Sequence, residues 1–297
     1  MAKPSRLTLA KDDILSLFSE ASQKVYSQAQ LATILRENRN SWHLANHTTQ
    51  ADLVSFLTKE GDLRVHQFRS DAYNKQVTRY SWGKASPLEL ALSIKQRAYL
   101  CHATAVMVHG LTKLGQKTIY LNAEQSTKWS SHSALTQDGI NRAFNGRQRQ
   151  SNLIYKCNRI SVVMISGKNT SRLGVEETAG PRSEMVQVTN LERTLIDIVV
   201  RPTYAGGTSQ VLKAYRAAKD RMSLQRLLAI LKALDYVYPY HQPIGFLMQK
   251  AGYPKEYFVQ LRALGLNYDF YLDHGMQQPE YSEDWRLFYP KELKVRS

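Results

Sequence analysis

Between residues 11 and 82 the apolar residues change their spacing, and that change restricts the fold more than any other feature of the chain. Three segments repeat at helical intervals: Ile14, Leu17 and Phe18 within 11–21, Leu31, Ile34 and Leu35 within 27–36, and Leu53, Phe56 and Leu57 within 49–60. Each set is an i, i+3, i+4 stripe, so each segment is expected to be a short helix with one face to bury. Two further runs, Leu63 to Phe68 and Val77 to Trp82, alternate at period two across a polar tip holding Asp71 and Asn74, which predicts a hairpin.

The residues between these runs supply the punctuation. After a short extended piece at 24–26, Ser27 is placed to cap the second helix. The polar run 37–46 reads as a connector, and Asn46 or Thr48 as the cap of the third helix. Gly61 is expected to close that helix in the left-handed conformation. Three short helices followed by a two-stranded wing is the layout of a winged helix-turn-helix, assigned to residues 1–85.

Gly83 to Pro87 interrupts both periodicities, and a second domain is expected over 86–297. Ser86, Pro87 and Glu89 form a helix start, predicting helices over 87–97 and 102–110. Runs rich in Ile, Val and Tyr predict strands at 118–122, 152–155, 160–166 and 185–189. Thr189 to Glu192 reads as a capping box opening a helix that Pro202 stops. Helices are then expected over 208–220, 223–234, 242–251 and 254–264. The expected fold class is α+β: an N-terminal winged helix-turn-helix followed by a larger mixed α/β domain.

Charge narrows the partner. The chain of 297 residues holds 40 Lys and Arg against 25 Asp and Glu, a net +15, which favours a polyanion. The excess is uneven, since residues 87–182 hold 13 basic residues against 5 acidic ones. Nothing in the first residues reads as an export signal, and no apolar run approaches the roughly 18–20 residues of a membrane span, so a soluble, cytoplasmic protein is expected. Two cysteines, Cys101 and Cys157, make neither a disulfide framework nor a metal-type pair, and read as small core residues.

For double-stranded DNA, the start of the third helix presents Thr48, Thr49, Gln50 and Ser55, with Gln50 the best reader of a base edge. The wing adds Arg64, Arg69, Lys75 and Arg79 for phosphate. The basic run Arg142, Arg147, Arg149, Lys156, Arg159, Lys168 and Arg172 is expected to extend the footprint. Six neutralised phosphates would give a log-log salt slope of about −5.

Several segments taken in order resemble the AbiEi family of antitoxins, known from type IV toxin-antitoxin and abortive-infection systems. They are Tyr99 to Ala105 with His109-Gly110-Leu111-Thr112, Thr189 to Asp197, Arg201 to Gly207, and Ile244 to Leu247. Cys101 departs from the pattern, standing where the family is expected to have Ser, and the connector before the third helix is long. The resemblance implies an autorepressor of its own operon, binding inverted-repeat operator DNA, that counters a nucleotidyltransferase-like toxin encoded beside it. Alternatives are a stand-alone winged-helix transcription factor without a toxin and a phage-defence nuclease, the latter requiring clustered carboxylates with Lys around a metal.

Signals for enzymatic chemistry are sparse, and no catalytic residue, cofactor or metal is expected. His102 and His109 lack a third ligand at metal-like spacing and read as structural. Glu192 is attributed to the capping box, and Arg193 with Asp197 to an i, i+4 ion pair. Gly206-Gly207 fits neither phosphate-loop pattern and reads as a turn. Tyr236, Tyr238, Tyr240, Phe246, Tyr268, Phe270 and Tyr271 read as core rather than as a stacking platform for single strands.

Overall fold

A computed structural model describes residues 4–112, 117–126 and 134–293. In chain order the elements are α1 (Arg6–Leu9), α2 (Lys11–Glu20), β1 (Val25–Ser27), α3 (Gln28–Asn38), α4 (Gln50–Glu60), β2 (Leu63–Ser70), β3 (Lys75–Trp82), α5 (Pro87–Ser93) and β4 (Tyr99–Leu100). There follow α6 (His102–Val108), β5 (Thr118–Asn122), α7 (Gln137–Asn145), β6 (Ile154–Cys157), β7 (Ile160–Ile165), β8 (Val175–Ala179), β9 (Met185–Thr189) and α8 (Leu191–Val200). The remainder is α9 (Thr208–Ala218), α10 (Leu224–Leu234), α11 (His241–Ala251), α12 (Lys255–Arg262), β10 (Phe270–Tyr271), β11 (Glu280–Ser282) and β12 (Leu287–Tyr289). The chain is therefore mixed α+β.

The chain divides into two compact units, one of residues 1–96 with 153–162 and one of 97–152 with 163–297. The first unit thus runs past the expected break at 85/86. It keeps α5 because Arg79 on β3 donates to the carbonyls of Ser93 (2.7 Å) and Ile94 (3.0 Å) at the end of that helix. It also recovers β6 from far along the chain, since Lys156 pairs with Arg69 of β2.

In the first unit the strands run in the order β1-β3-β2-β6. The β2–β3 register is unbroken from Leu63↔Trp82 to Ser70↔Lys75, and Asn74, at φ 46°, closes the tip. On one sheet face Leu63 and Tyr80 join Ile14, Phe18, Leu31, Leu35, Leu53 and Leu57 in a single core. The stripes read from the sequence are the faces that pack here. Three local expectations change. The 37–46 connector buries Trp42 and Leu44, and Arg39 donates to the carbonyls of Asn46 (3.2 Å) and Thr48 (2.8 Å) to hold it. The cap of α4 is Thr49, not Asn46 or Thr48. Gly61 is extended, at φ −123°, not left-handed. A Cβ on Gly61 would lie 2.5 Å from the Trp82 ring, so the glycine is required by close approach rather than by backbone hand.

In the second unit the strand order is β5-β4-β9-β8, with β4 and β9 parallel at Leu100↔Val188. A separate three-stranded sheet, β10-β12-β11, lies within 270–289, where the sequence reading has no element. Around α8 and α11 the core gathers Leu195, Ile198, Tyr215, Leu227, Ile244 and Trp285. Asn190 caps α8 by accepting from the Arg193 N–H. Glu192 does not complete the expected capping box. Its buried carboxylate instead accepts the Ser223 N–H at 2.9 Å and faces Arg226, which ties the start of α8 to α10. Among the described residues, no helix is long and apolar enough to cross a membrane.

Candidate nucleic-acid interface

Residue 49 opens α4 through a reciprocal cap. The Thr49 hydroxyl accepts the Asp52 N–H, and the Asp52 carboxylate accepts the Thr49 N–H at 2.8 Å. These bonds from Thr49 hold the Asp52 carboxyl below its ordinary range. The Thr49 hydroxyl is thus committed to starting the helix. Gln50 is half-exposed at the first position of α4, Ser55 is exposed one turn further, and the half-exposed Thr48 precedes the cap. These three are the side chains at this end of α4 that a groove-bound base could meet.

The hairpin sorts its four cations by what they already touch. Arg79 is half-buried, and besides Ser93 and Ile94 it donates to the Thr78 carbonyl at 2.8 Å. It fastens α5 to β3 and is withdrawn from the phosphate-binding set. Arg64 is exposed but paired with Asp62 at 3.1 Å. Lys75 is exposed, with its ammonium 5.5 Å from the centre of the Tyr73 ring at the tip. Arg69 is exposed and braced by the Gln67 amide oxygen at 3.0 Å.

Parity along β2 puts Val65, Gln67 and Arg69 on the same face as Leu63, the face that carries the helices. Beyond the helices that face is open, since Val65 is 46% exposed and Gln67 and Arg69 are exposed. Lys156 on β6 stands directly opposite Arg69 and is also exposed. Like charges at directly opposed positions destabilise a sheet, and no ion pair relieves either side chain among the described residues. Arg159 is exposed in the turn just after β6.

The rest of the basic run disperses. Arg142, Arg147 and Arg149 are exposed in the second unit, Lys156 and Arg159 belong to the first, and the run forms no single element. Lys168 donates to the carbonyls of Leu234 (3.0 Å) and Asp235 (3.1 Å), closing the end of α10. Arg172 donates to Gln187 and lies over the Tyr99 ring, so it too is structural.

The residues that could have carried acid–base chemistry lie inside the second unit. Arg193 and Asp197 form a pair at 2.7 Å, their side chains 5% and 8% exposed, and Arg193 also donates to the Leu173 carbonyl. The i, i+4 pair expected from the sequence is therefore present and buried. His102 is fully enclosed, and burial pushes its pKa down to about 4, so it is neutral. His109 bonds the Thr189 carbonyl at 2.6 Å. Among the described residues no group of three or more His, Cys, Asp or Glu is placed to hold a metal. Gly206 and Gly207, at φ 86° and 91°, make the tight turn into α9.

Sequence reasoning missed Arg39, Lys156 as the partner of Arg69, and the clamp at Glu124. That carboxylate accepts from Tyr99, Thr170 and Arg172 and pins the loop after β7. Arg39 acts on carbonyls seven and nine residues on, beyond the reach of a helical or strand period, and the partners of Lys156 and Glu124 are distant in the chain.

No protein-family profile matches the chain, and no curated protein matches it. Among solved structures it resembles the crystal structure of the RV2827C protein from Mycobacterium tuberculosis, with 14% sequence identity over 96% of this chain and 93% of that one, at a TM-score of 0.58. That likeness concerns the fold, and it extends over nearly the full length of both chains.

Proposed function

We propose that the first unit is a winged helix-turn-helix that binds duplex DNA, and that the chain acts as a transcriptional autorepressor and antitoxin of the kind the AbiEi resemblance implies. The order α2, β1, α3, α4, β2, β3 with strands arranged β1-β3-β2 supports the winged-helix reading. The observation that carries DNA binding is the opposed pair Arg69 and Lys156 on the α4 side of the sheet. Two unrelieved cations there raise the energy of the free protein and are stabilised by a phosphate backbone. In this reading Gln50, Ser55 and Thr48 face bases, while Arg69, Lys156, Lys75 and Arg159 face phosphates. Arg64 contributes less because Asp62 already neutralises it.

A mobility-shift titration against the chain's own upstream region, at several salt concentrations and with shuffled competitor, tests this. Arg69→Ala with Lys156→Ala is expected to flatten the log-log salt slope by about 2, from about 0.9 per phosphate contact. Gln50→Ala should reduce preference over shuffled DNA without changing that slope. A slope unmoved by the double substitution sinks the DNA reading. For the antitoxin reading, co-expression with the neighbouring nucleotidyltransferase-like gene should restore growth. If no such neighbour exists, the chain is a stand-alone regulator.

A further inference from the structure

Within the second unit, α7, β10 and the turn after it enclose a cleft of about 310 Å³, near the lower end of small-molecule sites. Its aromatic side is Phe144 and Tyr271, continued by Met276 and Pro279. Its polar side is Asn141, Arg142 and Asn145, and no carboxylate lines it. The aromatic side is rigid before any ligand arrives. Phe144 stacks on His274 at 4.2 Å and on Tyr271 at 5.7 Å, and Tyr271 stacks on Phe288 at 5.0 Å.

The polar groups are oriented as donors. The Asn141 amide oxygen accepts from the Tyr271 hydroxyl at 3.1 Å and from the Gln137 amide at 2.9 Å, which leaves the Asn141 NH₂ as its unused group. Arg142 and Asn145 are exposed, and neither side chain has a hydrogen bond or ion pair with any described residue. A guanidinium with no counterion in a carboxylate-free cleft matches an anion, and prelocked rings beside amides match a flat heterocycle with polar edges.

We propose that this cleft binds a nucleobase with its attached phosphate, the heterocycle against the part-exposed Tyr271, Met276 and Pro279 with buried Phe144 behind them, its edge on the asparagine amides, and the phosphate on Arg142. The same chemistry is offered by a free mononucleotide and by an unpaired base within a strand. Exposed Arg147 and Arg149, just past α7, would meet the neighbouring phosphates of a strand. The site lies wholly in the second unit and does not depend on duplex binding by the first.

The test is calorimetric titration of the full chain with AMP, GMP, CMP and UMP, with the matching nucleosides, and with a ten-nucleotide single-stranded oligo-dT. Saturable binding of a monophosphate or of the oligonucleotide is expected, and which of the two binds identifies the source. Arg142→Ala is expected to weaken the phosphorylated ligand at least tenfold and to abolish its preference over the nucleoside. Arg142 is exposed, so the variant should fold normally. Tyr271→Leu is expected to weaken binding at least about fivefold through lost ring contact. Absence of saturable binding at millimolar concentration for every ligand, or unchanged affinity in Arg142→Ala, overturns the assignment.

Discussion

Asp197→Ala should be among the most damaging single substitutions in the second unit, because Asp197 is the carboxylate paired with a buried guanidinium. Arg193 sits inside that unit with its side chain 5% exposed, and Asp197 accepts from its Nε at 2.7 Å. Removing the carboxylate leaves a guanidinium whose remaining hydrogen bond is to the Leu173 carbonyl at 2.9 Å. An uncompensated buried charge of this kind costs about 3–5 kcal/mol. For a unit of this size, about 2–4 °C of melting temperature is lost per kcal/mol, so the midpoint should fall by roughly 6–20 °C. The pair itself contributes far less than its rupture costs, because each ion was desolvated to form it. Arg193→Met with Asp197→Leu should therefore recover most of the lost stability. Urea unfolding followed by far-ultraviolet circular dichroism and by fluorescence of the buried Trp285 measures both variants. A cost below about 1 kcal/mol for Asp197→Ala, or a double variant no better than the single one, would refute the buried-charge account.

Gly245→Ala should destabilise the second unit by about 1–3 kcal/mol, since its Cβ would fall 2.1 Å from the ring of fully buried Trp285; Gly61→Ala should act similarly in the first unit, 2.5 Å from Trp82. Thermal melts of the two variants check this. His102 contributes an acid sensitivity whose sign follows from its depressed pKa. The unfolded chain takes up the proton near pH 6.5 and the folded one only near pH 4, so stability is full above 6.5 and falls between 6.5 and 4, by up to about 3 kcal/mol. His102→Asn, a residue that tolerates the positive φ at this position, should flatten urea midpoints compared at pH 7 and pH 5. Arg79→Ala should lower stability through loss of its bonds to α5 yet leave the salt slope of DNA binding unchanged, the reverse of Arg69→Ala.

What the sequence alone determined depends on neighbours within about one helical turn. The stripes of the first three predicted helices, the caps at Ser27 and Ser86, the strands at 118–122 and 185–189, and the Arg193–Asp197 pair are all settled at that range. Tertiary structure decided the rest, because the deciding partner lies far along the chain. Arg69 and Arg79 look alike in an alternating strand. Only the return of α5 commits one to carbonyls, and only the return of β6 sets Lys156 opposite the other. Gly61 has a helix-ending appearance, but the ring that excludes a side chain there comes from Trp82. Glu192 satisfies a local capping rule and yet serves Ser223, since a buried carboxylate goes to whichever donor the packed core leaves beside it. Strands of two or three residues at 270–289 carry too few side chains to show a period, and they become strands only by pairing with one another. The cleft beside α7 is of the same kind, joining residues more than a hundred positions apart whose common chemistry exists only once the chain has closed around them.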